Sequence, residues 1–150
     1  MKKLLLKTTS LFLILGLVFL SCQKSVEVKT NTELLTLSSW KFDHATATGY
    51  GDVTSQIPAC YRDNITTFAS NGSGTVDEST NVCSPSNAGS FTWSFQTNET
   101  VLHLSTVLFS GGTTDFNIIT LNETNLVISQ SVTLPPPTSV TTTVEFTFKH

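Results

Sequence analysis

Charge is what this 150-residue chain has least of: 13% of its residues are charged, and arginine occurs once, at Arg62. Without a basic patch it offers a phosphate backbone no footprint, so nucleic acid is excluded as a partner. Cysteine is scarce too: the three, Cys22, Cys60 and Cys83, have no zinc spacing. A nucleophile elbow, a His-Glu-x-x-His pair and a phosphate loop are all missing, so no catalytic motif is legible and a non-enzymatic role is expected. Helical periodicity is nearly absent as well. Only Thr32 to Leu37, which Thr30 or Asn31 could cap, reads as a helical turn.

What is present begins with an export signal. Met1-Lys2-Lys3 is basic, and the apolar run Leu11 to Leu20 is too short to cross a bilayer as a helix. The run ends in Ser21-Cys22, which resembles the lipobox of bacterial lipoproteins. That resemblance implies a signal peptide over residues 1–21, acylation of Cys22, and a polar tether over 22–31. An outer-membrane lipoprotein of the cell envelope, held by its lipid, is the expectation. Beyond the cleavage point five cations, Lys24, Lys29, Lys41, Arg62 and Lys149, face all eleven acidic residues, a net charge of about −6.

The stretch from Cys60 to Phe95 organises the rest. Asn71-Gly72 between two β-capable runs is a strong hairpin signal, because both residues tolerate positive φ. With those two as the loop, Ser70 faces Ser73 and Cys60 falls opposite Cys83, close enough for a disulfide. A loop of three residues would instead set Val82 opposite Cys60, and the cysteines would need a bulge to meet. Cys22 being assigned to acylation, Cys60 and Cys83 remain as a pair, which suits an oxidising compartment.

Alternation places the other strands. Ser39 to Ala45 puts Trp40, Phe42 and His44 on one face. Phe91, Trp93 and Phe95 share the face of a strand, and Val101 to Phe109 turns Leu102, Leu104 and Leu108 inward. Strands follow at Asp115–Leu121 and Leu126–Leu134; Pro135-Pro136-Pro137 ends the latter, and Thr141–Lys149 is the last. Eight short strands with tight turns predict an all-β, antiparallel up-and-down barrel, which has no open edges and an interior that side chains nearly fill or that holds one small ligand.

These residues resemble a family, the bacterial lipoproteins with a lipocalin-like domain. The likeness rests on Leu34-Leu35 running into Trp40, on Cys60, Phe68, Asn71-Gly72, Gly74 and Cys83, and on Phe91-Thr92-Trp93. It implies a lipocalin-like barrel over 32–150 with no shared catalytic motif and no cofactor. The expected role is binding a small hydrophobic ligand or serving as a surface interaction module; a structural envelope protein with a filled barrel is the alternative.

Candidate ligand-binding residues are Trp40 and Trp93, which could stack on a ligand, His44, which shares the Trp40 face, and Arg62, the one cation able to clamp a carboxylate. For each a plain structural role is the competing reading: core packing for the tryptophans, a hydrogen-bonded rim position for His44, a neighbouring Asp52 or Asp63 for Arg62. The sequons at Asn64, Asn98 and Asn122 read as turn chemistry.

Overall fold

The computed structural model describes residues 28–109, 111–134, 136 and 139–150. Cys22, the signal peptide and most of the tether therefore lie outside the described residues. Nine antiparallel strands follow a short helix: α1 (Asn31–Leu35), β1 (Trp40–Ala47), β2 (Gly51–Asp52), a 3-10 turn (Thr54–Gln56), α2 (Ala59–Arg62), β3 (Ile65–Phe68), β4 (Ser73–Asp77), β5 (Gly89–Gln96), β6 (Val101–Leu104), β7 (Asp115–Leu121), β8 (Asn125–Thr133) and β9 (Thr141–Lys149). Each strand pairs with the next around the sheet, and β1 pairs with β9 to close it. Eight strands make the expected barrel, and the two-residue β2 is an addition on the outer edge of β1.

One end of the barrel is closed by α1. Thr30 caps it with a full capping box: its hydroxyl accepts from the Glu33 backbone N–H, and the Glu33 carboxylate accepts from the Thr30 N–H at 2.7 Å. Leu35 is fully buried, and its carbonyl accepts the Trp40 indole N–H at 2.8 Å. His150 lies against the outer face of Trp40, ring centroids 3.8 Å apart. Lys29 pairs with Glu123 in the β7–β8 turn and Asn31 donates to Glu99 in the β5–β6 turn, so the chain enters the barrel at this closed end.

Inside, Trp40, Phe68, Leu126, Ile128 and Phe148 pack so closely that no water-sized space is left between them. Gly74 shows how tight the wall is. A Cβ there would stand 2.3 Å from Cζ of Phe91, whose ring covers the glycine from the neighbouring strand.

Three expectations about register need correction. The hairpin loop has three residues, Ser70, Asn71 and Gly72. Ala69 pairs with Ser73, and only Gly72 has positive φ, at 82°. Asn71 instead turns its side chain onto the Ser73 N–H at 3.0 Å. This three-residue loop shifts the ladder by one, so that Phe68 faces Gly74. Cys60 and Cys83 nevertheless form a disulfide with Cα atoms 5.1 Å apart. They meet because both stand beyond the ladder, Cys60 on α2 and Cys83 in the loop after β4, and not because strand register sets them face to face.

The third correction concerns His44. A β-bulge between Phe42 and His44 in the pairing with β9 resets the alternation. Trp40 and Phe42 point inward, but after the bulge Ala45 and Ala47 do, and His44 is turned out beside Asp43 at 2.8 Å. The fifth predicted strand is also shorter than its hydrophobic pattern: β6 stops at Leu104, and Leu108 and Phe109 are buried from an irregular connection.

Trp93 tests the hairpin. Its indole N–H is shared between the carbonyls of Ala69 (3.1 Å) and Ser73 (3.0 Å), and its ring meets Phe68 and Phe95 edge-on. Trp93→Phe, which keeps an aromatic ring but removes the indole donor and leaves the two carbonyls with their backbone partners alone, is expected to lower stability by about 1 kcal/mol, and Trp93→Ala by about 3–5 kcal/mol. Urea denaturation checks both; equal losses would mean the indole N–H contributes nothing.

Candidate functional site

At the end opposite α1 the barrel is less regular. Beyond Lys41, β1 has no further pairing with β3, and its edge is taken up by the segment from β2 to α2. Thr54 fastens that segment, its hydroxyl accepting the Ala45 N–H at 3.0 Å, while the Val53 N–H donates to the Ala45 carbonyl at 2.9 Å. Asp52 accepts the Thr54 N–H in turn, and hydrogen bonding by Thr54, from its side chain first and its backbone second, draws the Asp52 carboxyl below the usual range. These contacts deliver Ile57, Pro58 and Tyr61 to the barrel mouth.

Two further anchors hold α2 in place. The Cys60–Cys83 disulfide ties it to the β4–β5 loop. Glu78, 4% exposed, then gathers that loop: its carboxylate accepts from the Ser86 hydroxyl and from the backbone N–H groups of Cys83 (2.8 Å) and Asn87 (3.1 Å). The Ser86 hydrogen bond above all, with the backbone donors behind it, holds the Glu78 carboxyl below the ordinary glutamate value despite its burial. Asp63 does the same for the outer part of the loop, one of its oxygens accepting from the backbone and side chains of both Thr80 and Asn81.

Phe109 fills the mouth from the other side. It stacks on Phe146 with centroids 4.3 Å apart and planes 7° from parallel, and Phe42 meets it edge-on. Between Phe109, Tyr61 and the end of β8 a cleft of about 310 Å³ remains open, walled by Ile57, Pro58, Val132, Leu134 and Phe146. No charged side chain lines it. Its one amide is Gln56, whose Oε1 is buried and has no hydrogen-bond partner. Such a surface can desolvate apolar area and offers a ligand the unpaired Gln56 amide oxygen. Among the described residues no three His, Cys, Asp or Glu side chains gather to hold a metal ion.

The four candidate residues do not converge on this cleft, and none lines it. Trp40 sits at the closed end and Trp93 under the hairpin loop. His44 faces outward, its partner Asp43 also bound by Lys149 at 2.9 Å; hydrogen bonds from Lys149 first and from His44 second hold the Asp43 carboxyl low. Arg62 is exposed on α2 and, among the described residues, pairs with neither Asp52 nor Asp63. Sequence reasoning missed Gln56, Tyr61 and Phe109. A period-two pattern assigned Phe109 to a strand, and the four-residue α2 is too short to leave a helical period.

A family profile described as the lipocalin-like domain matches residues 38–128, more than half of the chain. No curated protein matches it.

Glu78 gives the acid limb of stability. Because its carboxyl is lower in the folded protein than in the unfolded chain, the stabilisation is complete above the ordinary glutamate value and disappears as pH falls through the depressed folded value. Glu78→Gln is therefore expected to melt below wild type at about pH 7 and to approach it at about pH 3. A gap between the two melting curves that stays constant over this range would remove Glu78 from the account.

Proposed function

We propose that this chain, which belongs to the lipocalin-like domain family, binds a small apolar molecule at the mouth of its barrel rather than in its interior. The observation that carries this reading is the uncharged cleft of about 310 Å³ between Tyr61, Phe109 and Leu134, at the small end of the range for ligand pockets. The close-packed interior around Trp40 and Phe148 leaves no room for a ligand deeper in. That same packing favours a second reading, a structural envelope protein that binds nothing.

Titration with N-phenyl-1-naphthylamine, a neutral apolar fluorophore, decides between them. Binding at a single site is expected, with Leu134→Glu weakening it at least about tenfold because the new carboxylate would be desolvated beside the probe. Absence of saturable binding, or binding indifferent to Leu134→Glu, favours the structural role.

The lipid anchor is the second part of the proposal. Acylation at Cys22 would fix the protein to a membrane by its closed end, since Lys29 and Asn31 are held at the turns of that end. The six residues from there to Val28 extend at most about 20 Å. The mouth would then face away from the bilayer, open to ligands from the aqueous side. Mass spectrometry of the membrane-extracted protein is expected to find a first residue Cys22 carrying two or three acyl chains. A mature protein that begins beyond Cys22 and stays in the soluble fraction overturns the anchor without touching the cleft.

A further inference from the structure

Tyr61 divides the mouth into two unlike halves. On one side is the apolar cleft. On the other, a cleft of about 360 Å³ is bounded by Tyr61 and Phe91 together with Asn87, Ser90 and Thr106. Below Tyr61 the two are joined by a void of about 20 Å³, which shares Tyr61 and Phe109 with the first cleft and Tyr61, Asn87 and Thr106 with the second. Asn64 opens into this void. It is 9% exposed, its Nδ2 donates to Asn87 at 3.4 Å, and its Oδ1 is buried with no partner. Two unpaired amide oxygens thus lie at the mouth, that of Gln56 in the apolar cleft and that of Asn64 in the void beside Asn87, which lines the polar cleft.

A buried amide oxygen without a partner is a standing cost that a donor on a ligand removes. A hydroxyl suits the place best, because it both donates and accepts and so can pair with either end of an Asn or Gln amide. A charged head does not suit it. Neither cleft has a charged side chain in its lining, and Glu78 in the adjoining loop is already engaged by Ser86, Cys83 and Asn87. A carboxylate or ammonium would give up its hydration with nothing to replace it. Two aromatic side chains, Tyr61 and Phe91, line the polar half.

We infer that the mouth takes an uncharged amphiphile: a short hydrocarbon portion against Phe109, Phe146 and Leu134, and a hydroxylated, sugar-like head over Asn64 and Asn87 on the other side of Tyr61. This rests on the ligand-binding reading above and adds the chemistry of the head group. Asn64 and Asn87 set head-group selectivity, and the apolar wall sets affinity for the tail.

The test displaces N-phenyl-1-naphthylamine from the purified full chain with n-octyl-β-D-glucoside or with sodium octanoate, both below their aggregation thresholds. The glucoside is expected to compete at a concentration about tenfold lower than octanoate. Asn87→Ala, at a half-buried position outside the lining of the apolar cleft, should erase that advantage while leaving the fluorophore's own affinity unchanged; Asn64→Ala repeats the measurement at the buried partner. Octanoate competing as well as the glucoside overturns the inference, as does Asn87→Ala weakening fluorophore and glucoside alike. Failure of the fluorophore to bind the wild-type chain overturns the ligand-binding reading itself. Fluorophore binding without a preference for the glucoside overturns only the head group.

Discussion

Strand β1 can close the barrel on one side only. It pairs with β9 along nearly its whole length, but with β3 at just two positions, Trp40 with Thr66 and Lys41 with Ile65. The strands diverge beyond Lys41, and backbone groups of β1 exposed by that divergence need other partners. Residues from β2 to Thr54 provide them, and this segment leads directly into α2. The irregular mouth is therefore the consequence of an incomplete seam. What fills the seam also builds the site.

The material that fills it has to be held. No helix as short as α2 is stable by itself. It persists because the disulfide joins it to the β4–β5 loop and because Glu78 and Asp63 satisfy that loop's donors. Hydrogen bonds to ionised carboxylates are among the stronger ones available to a loop, and here they replace the ladder that the strands no longer offer. The position of Tyr61, and with it the division of the mouth into an apolar and a polar half, follows from this arrangement.

The closed end is built on the opposite logic. Leu35 and Trp40 are fully buried, His150 packs on the indole, the indole N–H is satisfied by the Leu35 carbonyl, and ion-paired and hydrogen-bonded links from Lys29 and Asn31 fix the entry of the chain. Around Trp40, Phe68 and Phe148 the interior is packed without a water-sized gap, and the wider apolar cleft lies at the mouth.

Alternation by itself determined much of the fold. β7, β8 and β9 lie within a residue, and β5 within two, of where alternation through Phe91, Trp93, Ile128, Phe146 and Phe148 places them, because in a barrel wall one face is always core. The pairing of Cys60 with Cys83 followed from elimination, although the register argument for it failed. Only the tertiary structure decided the rest. Two bulges, after Phe42 and after Ile118, turn His44 outward and bring Leu121 to the core side, because one extra residue reverses every side chain beyond it and no residue type announces it. Gln56, Tyr61, Asn64 and Phe109 come together for a related reason: irregular segments carry no period, and their neighbours are set by the gap between two strands that part.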